Sequence, residues 1–311
     1  MASTEAGEPA GPAAEAGLDA AIVALEIGDL PGALALSISA HWNQNEADWR
    51  MMLALGQGWG IRDLDADKRQ VLAASVIVLP YGGRFGWVSM VLVRPEFKRR
   101  GHATRLLRYA LGALAAQGMG GVLDATPAGH EVYVQEGFVD TWGFARYRLE
   151  QRPGAAPGSD RAPGLLVRPL RMSDWPAIEA IDTPAFGASR MPLLRALAQR
   201  LPAAAQVAVQ LAEHGGRLCG FMLGRDGREA SQIGPLVAID TATAAGLIDV
   251  ALHTLQGPLQ VDLPDRHEAL RQWFEVRGFV QQRPFTRMVH GRLDAPGRTD
   301  MTMLMAGPEL G

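Results

Sequence analysis

Val93-Arg94-Pro95-Glu96-Phe97-Lys98-Arg99-Arg100-Gly101-His102-Ala103-Thr104-Arg105-Leu106-Leu107 reads as the end of an apolar strand, a basic glycine turn and the start of a helix. Upstream, Trp87-Val88-Ser89-Met90-Val91-Leu92-Val93 is apolar and rich in β-branched residues, as a buried strand requires. Downstream, Leu106, Leu107, Ala110, Leu111 and Leu114 recur at helical spacing. A turn between such elements aims successive N–H groups and the positive end of the helix dipole at whatever lies over Gly101. Lys98, Arg99, Arg100 and Arg105 add cationic charge, so the ligand expected there is a phosphate or pyrophosphate.

Working outward, Gly121-Val122-Leu123-Asp124-Ala125-Thr126-Pro127 is a short strand entering a turn, and Tyr133-Val134-Gln135-Glu136-Gly137-Phe138 follows it. Gly137 has the place of a left-handed helix stop, with Phe138 starting the next strand. Together these two runs resemble the GNAT N-acetyltransferase superfamily. Its acetyl-coenzyme A signature, Arg/Gln-x-x-Gly-x-Gly/Ala after a Val-x-Pro strand end, appears here as Lys98-Arg99-Arg100-Gly101-His102-Ala103, and its Tyr-x-x-x-Gly-Phe run as Tyr133 to Phe138. Lys98 departs from the usual Arg or Gln and loses the planar fork of a guanidinium.

The resemblance implies an α/β (α+β) fold in which each domain is a mixed, mostly antiparallel twisted sheet flanked by helices. It implies acetyl-CoA as co-substrate, held by Leu92 and Val93 along the pantetheine arm and by Lys98, Arg99, Arg100, Gly101, His102, Ala103 and Thr104 at the pyrophosphate. A backbone N–H near the end of the Trp87 to Val93 strand would meet the oxyanion, and Tyr133 would protonate the leaving thiolate. The acceptor would be an amine of a small molecule or peptide, attacking the thioester directly.

The general base is open. Relatives often carry Glu on the strand before the glycine turn, whereas here that strand holds only Ser89 as a polar side chain. Asp124 is the preferred carboxylate, with capping of the following turn as its equal alternative; His41 or Glu46 could contribute, and a water chain would also serve. Acceptor selection is expected from His41, Trp42 and Trp49, where the indoles could wall a cation. Equally, Trp49, Met52 and Leu53 could be one apolar helix face with Trp42 as its staple. Tyr81, Arg84 and Trp142 are further candidates.

The chain also looks duplicated. Gly137, Phe144 and Arg146 recur as Gly278, Phe285 and Arg287 at one constant offset of 141 positions (278 less 137, 285 less 144, 287 less 146). The copies differ chemically: Val237-Ala238-Ile239-Asp240-Thr241-Ala242-Thr243-Ala244-Ala245-Gly246 replaces the basic turn with an acidic one, and Phe274 stands at the offset of Tyr133. A second copy without cations or hydroxyl is expected to pack and to wall the substrate cleft rather than bind coenzyme, a pattern similar to a bacterial subgroup with one complete and one degenerate GNAT domain. Expected boundaries are a mobile start over 1–17, a catalytic domain over 18–150, a Pro/Gly linker over 151–164, the degenerate copy over 165–293 and a mobile tail over 294–311.

Composition narrows the alternatives. With 311 residues and 48% hydrophobic content the chain suits two globular domains, and a net charge of -3 argues against nucleic acid or an anionic membrane as partner. One cysteine, Cys219, excludes an internal disulfide and gives no zinc spacing, so no metal is expected. Neither a run of roughly 18 apolar residues nor a basic-apolar leader occurs, so a cytoplasmic location is expected. No dinucleotide glycine motif, P-loop, zincin or nucleophile-elbow motif is present. The remaining rival is a non-catalytic acyl-CoA sensor on the same fold; a homodimer stays open.

Overall fold

The structure, a computed structural model, describes residues 20–151, 164–210, 216–291 and 294–311. The start over 1–17 and nearly all of the expected linker lie outside the described residues. The first half runs β1 (Ile22–Ala24), α1 (Leu30–Ser39), α2 (Glu46–Leu55), β2 (Gln57–Leu64), β3 (Gln70–Tyr81), β4 (Phe85–Val93), α3 (His102–Ala115), β5 (Gly120–Ala125), α4 (Pro127–Gln135) and β6 (Phe138–Leu149). The second half repeats the order: β7 (Leu165–Pro169), α5 (Trp175–Phe186), α6 (Met191–Arg200), β8 (Gln206–Gln210), β9 (Arg217–Arg225), β10 (Ser231–Ala238), α7 (Thr241–Thr254), β11 (Leu259–Pro264), α8 (Glu268–Val276) and β12 (Val280–His290). A final strand, β13 (Thr302–Leu304), has no counterpart in the first half. Leu106, Leu107, Ala110 and Leu114 are the buried stripe of α3. Gly137 and Gly278, at φ +85° and +84°, stop α4 and α8 in the left-handed region.

All strands join one sheet, ordered β1-β2-β3-β4-β5-β12-β6-β11-β10-β9-β8-β7, with β13 on β10. The halves exchange strands: β12, from the second half, lies between β5 and β6, while β6 lies between β12 and β11. The repeat landmarks meet at this exchange. Phe144 and Phe285 are register partners and stack with centroids 4.8 Å apart and planes 5° from parallel. Arg287 on β12 faces Asp124 on β5, and Arg146 on β6 faces Asp262 on β11. Each arginine binds its aspartate through two hydrogen bonds, at 2.9 and 3.0 Å for Arg287 and 2.8 and 2.8 Å for Arg146. Two reciprocal buried ion pairs therefore fasten the halves, and neither half closes its sheet alone.

Both halves of the sheet open at the same place. β4 and β5 pair only from Phe85↔Gly120 to Trp87↔Val122, leaving Val88 onward unpaired on that side. β10 and β11 likewise pair only to Ile233↔Val261. In the second half β13 enters the gap, pairing Leu236↔Leu304 and Val237↔Thr302 on β10, while Met305 N donates to Asp262 O on β11 at 2.9 Å. The stretch 294–311, expected as a mobile tail, is thus ordered: Met303, Leu304, Met305, Ala306 and Leu310 are all at most 2% exposed. Its apolar side chains give it a core to join, and it then crosses to the first half. There Tyr81 donates to Leu310 O at 2.8 Å and Trp87 Nε1 to Pro308 O at 2.9 Å.

Candidate functional site

In the first half no strand among the described residues pairs with β4 beyond Trp87 on the β5 side. Register along β3 moves from Ser75↔Leu92 to Ile77↔Ser89, so Met90 and Val91 oppose Val76 alone. Met90 sits at φ +50°, a bulge that bends the strand at the edge of the opening, and its carbonyl accepts from Ser75 Oγ at 2.8 Å. Beyond Leu92 and Val93 the chain turns through Arg99 at φ +63° and Gly101 at φ +77° into α3. No atom lies within 4 Å of where a Gly101 Cβ would stand, so the glycine is required by its backbone angle and leaves open space over the turn.

Lys98 and Arg99 are exposed and make no ion pair among the described residues. Arg100 bonds Asp63 at 3.3 Å and Glu96 O at 3.2 Å, and lies over the Phe97 ring at 5.0 Å. His102 turns inward. Its ring is buried, neither nitrogen has a hydrogen-bond partner among the described residues, and burial lowers its pKa. His102 can therefore offer a ligand its backbone only, alongside Ala103 and Thr104 at the same helix start. Free cations, converging N–H groups and an empty cradle fit a pyrophosphate.

A cavity adjoins the β4 bulge, with Ser89, Met90, Asp124 and Tyr133 in its lining. Tyr133, on α4, packs edge-on against Phe138 at 5.9 Å, and its hydroxyl has no hydrogen-bond partner among the described residues. Burial pushes it up to about 12, so it is a protonated donor at neutral pH. Ser89 Oγ is buried and likewise unpartnered.

Asp124 is neither the free carboxylate nor the turn cap expected of it. Both its oxygens accept from Arg287, whose guanidinium lies between Trp87 at 4.5 Å and Trp142 at 4.3 Å. Burial pushes Asp124 up to about 6, against the pull of Arg287.

The expected acceptor wall divides. Trp42 lines the cavity. Trp49 does not: it is 0% exposed in the core, with Nε1 donating to Ser37 Oγ at 2.9 Å, which is the apolar-face alternative. His41 is exposed and outside the lining, and Glu46 pairs with Arg50 at 2.7 Å in solvent. Tyr81 is buried beneath the tail and Arg84 bonds Gly187 O at 3.0 Å, so neither reaches the cavity.

Sequence reasoning missed the other side of the cavity. Arg146, Arg283, Phe285 and Glu309 all line it, the last three from the second half. Arg146 had a signal, as a repeat landmark. Glu309 had none, because its segment read as a tail.

Comparison with known proteins agrees with this geometry in both halves. A profile described as "Acetyltransferase (GNAT) family" matches residues 37–138, and one described as "Acetyltransferase (GNAT) domain" matches residues 178–302. The chain belongs to the GNAT acetyltransferases. It is a tandem member and a transferase. An uncharacterized N-acetyltransferase of Bacillus subtilis, YitH, is 25% identical over 249 residues, covering 80% of this chain and 83% of that protein. Among solved structures, a putative acetyltransferase from Pyrococcus horikoshii aligns at TM-score 0.73 and 19% identity over 98% of this chain and 100% of its own. A tandem GNAT protein from the clavulanic acid biosynthesis pathway aligns at TM-score 0.58 and 15% identity, covering 89% of this chain and 100% of its own. At these identities the two structures speak for the GNAT fold alone. No helix among the described residues is long and apolar enough to cross a membrane.

Proposed function

We propose that this GNAT pair transfers an acetyl group from acetyl-CoA to an amine, using one coenzyme site, in the first half. The observation that carries the reading is the bulged, unpaired side of β4 at Met90, with the Tyr133 hydroxyl lining the same cavity. Leu92 and Val93 offer backbone groups beyond the last β4–β5 pair, as a pantetheine arm needs. Lys98, Arg99 and Arg100, with the N–H groups from Gly101 to Thr104, hold the pyrophosphate.

An alkyl ammonium, with an ordinary pKa of about 10.4, must shed a proton before attack. The nitrogen lone pair then forms the C–N bond, the bulge stabilises the oxyanion, and the C–S bond breaks as Tyr133 protonates the sulfur. Tyr133 regains its proton from the nitrogen through water, so each turnover releases one proton overall. Asp124, held by Arg287, keeps a buried charge at the cavity floor and leaves proton removal to water.

The test is thiol release from acetyl-CoA across a panel of amines, beside calorimetric titration of acetyl-CoA. Acceptor-dependent thiol release is expected; coenzyme binding without release for every amine overturns the transferase reading of this cavity.

A further inference from the structure

The cavity wall built by the second half carries a guanidinium with no ion-pair partner among the described residues. Arg283, on β12, is half-buried and lines the cavity. Among the described residues its guanidinium makes neither ion pair nor hydrogen bond and lies over the Phe285 ring, 5.1 Å from its centroid. By contrast, Arg146 in the same lining is matched by the buried Asp262, as Arg287 on β12 is by Asp124. A guanidinium stays charged at any ordinary pH, so Arg283 presents to the cavity a cation that feels Asp262 and Glu309 only at a distance and has no ion-pair partner of its own among the described residues.

Glu309 is its complement. The residue is 2% exposed, and Oε1 accepts from Arg225, which Asp48 also holds at 3.0 Å. Among the described residues Glu309 Oε2 is buried without a hydrogen-bond partner of good geometry, Gln44 being the polar side chain beside the carboxyl, and both residues belong to the cavity lining. Burial alone would raise its pKa, but Arg225 and Arg146 outweigh it and hold the carboxyl below its usual range. It is therefore an ionised acceptor, too weak a base to take the ammonium proton and well suited to orient it. Buried polar atoms in native proteins are paired, so an unpaired carboxylate oxygen on a cavity-lining residue is where a water or a ligand donor belongs.

Resting on the amine-acetylation reading above, we propose that the acceptor is a zwitterionic amine of amino-acid type, its ammonium held by Glu309 Oε2 and its carboxylate by Arg283. Trp42 adds an indole to the lining.

The experiment uses the full chain, acetyl-CoA and a set of L-amino acids, each beside its carboxamide, with 1,4-diaminobutane as an acceptor lacking an anion. Acids should exceed their carboxamides in kcat/KM by roughly tenfold to a hundredfold, the scale of one charge-assisted hydrogen-bonded contact. Arg283→Gln should bring that ratio to near one, and Arg283→Lys should retain part of it. Glu309→Gln should raise KM for acid and carboxamide alike. Circular dichroism and acetyl-CoA titration establish that each variant is folded. Equal use of acids, carboxamides and the diamine by the parent chain overturns the proposal, as does an acid preference that survives Arg283→Gln. If thiol release fails for every amine, calorimetry of the same compounds decides: acids binding without their carboxamides uphold anion recognition and overturn only the transfer reading, and no binding overturns both.

Discussion

Replacing Arg287 by Met should destabilise the protein by about 3–5 kcal/mol, the cost of leaving one member of a buried ion pair without its partner. The magnitude follows from the burial: the side chains of Arg287 and Asp124 are 4% and 0% exposed, and two hydrogen bonds at 2.9 and 3.0 Å would be lost together. Solvent cannot compensate a carboxylate between β4 and β12. The cation's contacts with Trp87 and Trp142 disappear as well, a smaller loss of about 0.5–2 kcal/mol each. Replacing both partners by apolar groups, Asp124→Leu with Arg287→Met, should recover most of the loss, because the penalty belongs to the orphaned charge rather than to the missing attraction.

The sign of the pH dependence separates this account from simple loss of packing. Asp124 already has its folded value raised to about 6, above its ordinary 3.8, by burial against the pull of Arg287. Without Arg287, burial and the neighbouring carboxylates of Asp262 and Glu309 remain, all raising it, so the folded value rises further. A carboxyl whose folded pKa exceeds its unfolded one is stabilising while protonated, and that stability is lost as pH rises through the folded pKa. The deficit of Arg287→Met should therefore be largest near about pH 8 and shrink on acidification towards about pH 5. Urea unfolding followed by tryptophan fluorescence reads both effects. A single-variant loss under about 1 kcal/mol, or a loss independent of pH, would refute the orphaned-charge argument.

Tyr133→Phe should keep acetyl-CoA affinity and lose about 10²-fold or more in kcat, measured by thiol release; an unchanged kcat reduces Tyr133 to packing against Phe138. Gly101→Val should weaken acetyl-CoA binding by about tenfold or more, about 1.4 kcal/mol, by calorimetry. Its cause would be the φ of +77° and the crowded approach of phosphate, since the space over Gly101 is otherwise empty.

What was legible in the sequence was local. The strand, turn and helix around Gly101, the stop at Gly137 and the chemical divergence at Asp240 and Phe274 all rest on near-neighbour patterns, and the elements match them. The constant offset of Phe144, Arg146, Phe285 and Arg287 was visible, but its cause was not. Those residues repeat because each copy's last strand must present the same face to the other copy's aspartate. A partner 163 positions away, as Arg287 is from Asp124, leaves no trace in local periodicity. Trp49 could not be assigned from its spacing, because core face and ligand wall share one pattern until burial decides. The tail was misread because glycine, proline and aspartate around Met303, Leu304 and Met305 outweighed a short apolar run that serves as β13.

The fate of the second coenzyme slot follows from that same strand. A GNAT cradle needs free N–H groups at a helix start and an unpaired strand edge, and the second half has used both on itself. Asp240 caps α7, its Oδ1 accepting from Thr243 N at 2.7 Å, so a carboxylate of the chain sits where an anion would bind. No Lys or Arg in Val237 to Gly246 offsets it. β13 occupies the edge of β10 at Leu236 and Val237, where a pantetheine arm would have to pair, and Phe274 is buried at the place of Tyr133. Binding a second coenzyme would require expelling β13, whose Met303 and Leu304 are 2% and 0% exposed, and stranding Glu309 and Arg225 without each other. Calorimetry on the full chain should therefore give a stoichiometry near one acetyl-CoA per chain, and Asp240→Ala, which removes the capping carboxylate but not the strand, should leave it there. Two coenzymes per chain in either protein would mean that β13 yields its place and that the slot is closed by a movable segment rather than filled for good.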